Sequence, residues 1–148
     1  MLARIVCVGN RLVSCDDLGP RVFDELSRRE LPEGVEAVDG GLRGLDLLTC
    51  VEQSDRVVFV DAVAGFAQPG DVVELRGEEA YHAASQRFDH AAGLGYLLQV
   101  LPAVCEGPPP EWILLGGEQP GGASIVEALA ERAVELATSN AERFRRTA

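Results

Sequence analysis

The chain has 148 residues, 47% of them hydrophobic and 25% charged, with 24 Asp and Glu against 13 Arg, no Lys, and a net charge of −11. That length supplies one domain, residues 1–148, with a core that needs no staples, and the composition excludes disorder and collagen. An acidic surface excludes general binding to nucleic acid or anionic membranes, the missing Lys removes Schiff-base chemistry and a P-loop, and no apolar run approaches the ~20 residues of a membrane span.

Ile5-Val6-Cys7-Val8 is a continuous apolar run closed by Gly9-Asn10, the pattern of a strand buried on both faces. Pro20 marks a helix start, followed by Val22, Phe23 and Leu26 on one face. Residues 35–38 form a second short strand that closes on Asp39-Gly40-Gly41. Leu45, Leu47, Leu48 and Val51 make an apolar helical face. Residues 57–60 give the clearest strand, ending on Asp61. Pro69-Gly70 signals a turn before a strand at 72–75, and His82 falls in a polar connector, where it reads as a solvated loop residue. Residues 91–104 carry Leu94, Leu97, Leu98 and Leu101 at helical spacing. Glu106-Gly107-Pro108-Pro109-Pro110 is a stiff connector. Trp112-Ile113-Leu114-Leu115 is the last strand, ending on Gly116-Gly117-Glu118. Ser124 and Glu127 predict a capping box on a final helix whose inner face is Ile125, Leu129, Ala133 and Leu136. Residues 143–148 read as a frayed basic tail without a role.

Alternating strands and helices predict a three-layer α/β domain around a mainly parallel sheet with right-handed crossovers. Cysteines at 7, 15, 50 and 105 show no C-x-x-C spacing, and the N-terminus lacks a cleavage site for secretion. Reduced thiols in a cytoplasmic protein are expected, rather than disulfides or a zinc site.

Ligands of such folds bind outside the carboxyl ends of the strands. Four strands end at Gly9-Asn10, Asp39-Gly40, Asp61-Ala62 and Gly116-Gly117-Glu118, so Asp16, Asp17, Asp39, Asp61 and Glu118 are brought to one edge. His90, just before the helix at 91, joins that edge. Two carboxylates and a neutral imidazole balance a divalent ion, and such mixed ligation suits nickel, zinc, manganese or iron better than calcium. The same groups serve acid–base chemistry. Structurally, Asp16 and Asp17 could instead stabilise a helix N-terminus, and Asp61 could cap a turn. Spacing leaves these uses open. Gly9-Asn10-Arg11 is not a dinucleotide fingerprint, and no G-x-S-x-G elbow is present. An isolated Cys15 is more often inert than nucleophilic.

Read in order, these segments resemble the hydrogenase maturation endopeptidases. The resemblance runs through Val8-Gly9-Asn10, Asp16, Gly19-Pro20, Asp39-Gly40-Gly41, Gly44-Leu45-Asp46-Leu47-Leu48 and Val60-Asp61-Ala62-Val63. It continues through Pro69-Gly70-Asp71-Val72, His90-Ala91-Ala92-Gly93-Leu94 and Gly117-Glu118-Gln119-Pro120. It implies a phosphorylase/hydrolase-like α/β sandwich with a twisted five-stranded sheet between helices. It also implies an aspartic-type endopeptidase that trims the C-terminal extension of a nickel–iron hydrogenase large-subunit precursor. The implied catalytic and metal-contacting residues are Asp16, Asp61 and His90. They would recognise nickel already loaded into that precursor, so no tightly bound metal of the enzyme's own is expected. Two features depart from the family pattern. Cys15-Asp16-Asp17-Leu18-Gly19 replaces two acids followed by Gly, one residue and Gly, and shifting the acid pair by one makes Asp17 the ligand. Gln119 separates the usual Glu-Pro pair. Two other readings stand beside this one: a nickel-sensing assembly checkpoint that does not cut, and a metal-dependent hydrolase of a small molecule.

Overall fold

In the computed structural model of the chain, residues 1–42, 44–85 and 91–146 are described. Strands β1 (Ala3–Val8), β2 (Val35–Gly41), β3 (Arg56–Val63), β4 (Val72–Leu75) and β5 (Glu111–Glu118) form one sheet in the order β2-β1-β3-β5-β4. All neighbours are parallel except β4, which runs antiparallel to β5 at the edge. The expected mainly parallel five-stranded sheet between helices is therefore present.

Alternation along the strands divides the core into two faces. Ile5, Cys7, Val58, Val60, Ile113 and Leu115 point to one side. There they meet Leu18, Val22 and Leu26 of helix α1 (Leu18–Ser27), along with the later helix α5 described below. Val6, Val8, Val57, Phe59, Val63 and Leu114 point to the other side. That face is covered by a 3-10 turn (Leu45–Leu47) leading into α2 (Leu48–Glu52), by α3 (Gly77–Ser85), and by a π-helical turn (Ala91–Gly95) leading into α4 (Tyr96–Val104). Every residue of β3 is buried, which explains the apolar run at 57–60. Helix α5 (Ala123–Thr138) lays Ile125, Leu129, Ala133 and Leu136 on the first face, and α6 (Ala141–Arg146) closes the described chain.

Three expectations are corrected. Ser124 lies inside α5, whose N-cap is Gly122 with no side-chain cap bond, so no capping box with Glu127 forms. The chain enters this helix from Gly121-Gly122, and the Ile125 N–H bonds the Gly122 carbonyl instead. His82 belongs to helix α3, not to a connector, and its ring meets the edge of Phe66 at a centroid distance of 6.0 Å. The basic C-terminal residues are not a frayed tail. Phe144 of α6 is 1% exposed, because the Arg56 guanidinium lies 4.1 Å and that of Arg76 5.0 Å from its ring centroid.

Arg56, at the amino end of β3, is itself 2% exposed. Its Nη1 donates to the carbonyls of Leu136 at 3.0 Å and Ser139 at 2.6 Å, closing the C-terminal end of α5. Burial lowers its pKa, and the nearby guanidinium groups of Arg145 and Arg76 act in the same direction against Glu111. Phe144→Ala should remove the ring that both guanidinium groups face and leave a cavity. We expect a loss of about 3–5 kcal/mol in urea unfolding, typical of a buried phenylalanine.

Candidate active site

The carboxyl end of β1 and the start of α1 meet without room for side chains. A Cβ placed on Gly19 would stand 1.9 Å from the Val8 carbonyl oxygen, and one on Gly9 would stand 2.3 Å from that of Asp16. Gly9 also has a φ of 145°, a region that disfavours side chains. The loop between them folds on itself. The Asn10 N–H donates to the Asp16 carbonyl at 2.9 Å and to its Oδ2 at 3.1 Å. The Asp16 N–H reaches back to Val13, and the Asn10 Oδ1 accepts from the Leu12 N–H. Asp16 is thereby held at 3% exposure. Asp17 takes the N-cap position of α1 but makes no side-chain cap bond there.

Asp61 lies near the carboxyl end of β3 and is 6% exposed. Its parity with Phe59 and Val63 aims it at the face covered by α2, α3 and α4. Its Oδ1 accepts the Ala62 N–H at 2.8 Å, and its cross-strand partner is Gly116, which brings no side chain. Because Cys7 pairs with Val60, Asp61 and the loop holding Asp16 extend from the same ends of adjacent strands.

The wider acid cluster separates into different roles. Asp39 shares the parity of Ala37, on the α1 face. There Arg11 bridges it at 3.2 Å to Asp24, which it holds by a fork at 2.8 and 2.9 Å. Glu118 is 3% exposed and accepts the N–H groups of Gly65 at 3.1 Å, Phe66 at 2.6 Å and Ala67 at 2.9 Å. It organises the connection from β3 to β4 and belongs to that loop. Burial raises its pKa, but the backbone donors Phe66, Ala67, Gly65 and Gln119 outweigh burial and lower it overall. Sequence reasoning missed both roles, and the Arg11 fork had no signature within its own segment.

His90 lies outside the described residues. The segment after it is anchored at this edge, since a Cβ on Gly44 would stand 2.4 Å from the Gly93 Cα. Among the described residues no group of three or more His, Cys, Asp or Glu is arranged to hold a metal ion, and no helix is long and apolar enough to cross a membrane. Cys7 is buried in β1, and burial followed by Asp39 and Asp24 drives its thiol pKa well upward, which makes it inert. Cys15 is exposed, and none of the four cysteines is joined in a disulfide.

What this arrangement offers is a pair of buried carboxylates at one sheet edge, each anchored by a backbone N–H. Comparisons with known proteins agree with one another. The model of a family described as hydrogenase maturation protease matches residues 20–143. The chain is 31% identical over 141 residues to hydrogenase 2 maturation protease of Escherichia coli (strain K12), covering 88% of this chain and 85% of that protein. It spans 56% of the length of two other curated relatives. The structure of the hydrogenase maturating endopeptidase HybD from E. coli superposes with a TM-score of 0.70 at 30% identity, over 91% of this chain and 88% of that one. The [NiFe] hydrogenase maturation protease HybD from Thermococcus kodakarensis gives 0.68 at 25% identity, over 97% and 99%.

The Glu118 pKa lies below its ordinary 4.5, so its stabilisation is full above that pH and is lost as the pH falls through the lower folded value. Glu118→Gln should therefore cost about 2 kcal/mol at neutral pH, as for a hydrogen-bonded charge. Urea unfolding should show the gap to the parent protein closing below pH 4.5.

Proposed function

The chain belongs to the hydrogenase maturation protease family, and from that premise we propose that it removes the C-terminal extension of a nickel–iron hydrogenase large-subunit precursor after nickel insertion. The observation that carries this reading is the placement of Asp16 and Asp61, two buried carboxylates at the carboxyl ends of adjacent parallel strands. Backbone N–H groups hold one oxygen of each, which restrains both carboxylates before substrate arrives.

In this reading the reaction is an aspartic-type hydrolysis. One carboxylate takes a proton from water as its oxygen attacks the scissile carbonyl carbon, and the proton then passes to the leaving amide nitrogen. The products are a shortened subunit with a new carboxylate and a released tail with a new amine. Nickel belongs to the substrate. Asp16, Asp61 and His90, with Asp17 as the alternative to Asp16, supply hard oxygen and imidazole donors suited to recognising it there. Its charge near the scissile bond would polarise the carbonyl. Three donors from separate segments leave an ion open to further ligands, which fits recognition of a metal carried by another protein better than a closed structural site.

Mass spectrometry of the large subunit, from cells with and without this protein, tests the reading directly. The subunit should be shortened only when the protein is present, and an unchanged mass would overturn it. With purified components, Asp61→Asn should lower kcat by about 100-fold or more, the scale of a lost acid–base group, while the fold survives. His90→Ala should weaken cleavage sharply, and metal-free precursor with chelator should stay uncut. Efficient cutting of that metal-free precursor would refute the nickel dependence alone. Cys15→Ala should leave the rate within a few-fold of the parent, because the chemistry described uses no thiol.

A further inference from the structure

Of the seven exposed large hydrophobic side chains among the described residues, five stand at the carboxyl edge of the sheet. Leu12 is 93% and Val13 38% exposed in the loop from β1 to α1. Leu42 at 48% and Leu45 at 45% lie on the connection from β2 to α2, and Tyr96 at 49% opens α4. Backbone contacts join these three segments. The Gly9 N–H donates to the Gly41 carbonyl at 2.9 Å, which ties the first loop to the second. Gly44 abuts Gly93, three residues before Tyr96, which ties the second to the helix. The apolar rim is also continuous with the candidate site, since the loop of Leu12 and Val13 is the one that holds Asp16. Scattered exposed apolar residues are ordinary, whereas a group on one edge marks an interaction surface.

We propose that Leu12, Val13, Leu42, Leu45 and Tyr96 dock the folded body of the precursor while its tail crosses Asp16 and Asp61. This rests on the functional reading above. A side chain as exposed as Leu12 protrudes and is buried only by entering a hollow. An extended peptide offers no hollow, and a folded protein does. With a net charge of −11 on this chain, the matching surface is apolar and not acidic.

The experiment compares the full chain with a Leu12→Ser/Leu45→Ser double variant, using purified nickel-loaded precursor. Both substitutions are on exposed side chains, so thermal unfolding should be unchanged. Tyr96→Ser repeats the test from a third element. Processing should show KM raised about tenfold or more with kcat unchanged, the pattern of lost uniform binding. Calorimetric binding of metal-free precursor, which stays uncut, should weaken by the same factor relative to the parent protein. Unchanged KM and binding in both variants would overturn the docking surface and leave the protease reading intact. Binding lost in the variants from a parent protein that never shortens the precursor would support the surface and overturn the protease reading. A parent protein that neither binds nor cuts overturns both. Sedimentation showing a dimer of this chain that the double variant dissociates would assign the rim to a second copy and overturn the proposal.

Discussion

The carbonyl of Val8 and the backbone of Gly19 occupy adjoining space, and the rest of the carboxyl edge depends on that contact. With a side chain at position 19 or 9, α1 could not return onto the end of β1. The intervening loop would swing outward and carry Asp16 with it. Held close, Leu18 and Val22 of α1 reach the first core face, and Asp16 is buried within reach of the Asn10 N–H. A carboxylate removed from water without such partners would be heavily penalised. The glycine contact and the carboxylate hydrogen bonds therefore support each other, since one brings the acid inside and the other makes its position tolerable.

Strand parity then sorts the acids that primary structure alone places together. Asp39 and Asp61 both end parallel strands, but they face opposite sides of the sheet. Asp39 meets Arg11, whose fork to Asp24 ties the β1–α1 loop to α1 and β2. The hydrogen bonds to Asp24, and then Asp39, keep that guanidinium firmly charged. Glu118 binds three successive loop N–H groups and is taken up by that connection. One residue class thus performs ion pairing, loop organisation and candidate catalysis according to which neighbours its strand position supplies.

Much of this was legible beforehand. The apolar runs of β1, β3 and β5, each closed by glycine or acid, announced buried parallel strands and located Asp61. Asp16 was brought to the same edge together with Asp17, and the preference for Asp16 came from family resemblance and not from spacing. The rest escaped for physical reasons. Helix α3 buries Ala80, Ala83 and Ala84, side chains too small to make an apolar stripe. Helix α6 has one large apolar residue among arginines, and the groups holding Phe144 come from Arg56 and Arg76, far away in sequence. The Glu118 contacts likewise reach across more than fifty positions. Local patterns record which face an element buries, but not which distant backbone will need an acceptor. His90 entered through helix-start position and family resemblance, and its placement stands outside the described residues.

The Arg56 contact also bears on the order in which the molecule can be completed during synthesis. Its guanidinium closes a helix end 80 residues further along, at Leu136. Loop-closure entropy disfavours such a long-range contact until the intervening structure has shortened the effective separation. When β3 first emerges, its amino end carries a charge whose eventual partners have not yet been made. The contacts that bury that charge in the folded molecule become available only once residues through Phe144 have been made. Completion of the amino edge thus requires chain that follows every segment holding Asp16 and Asp61.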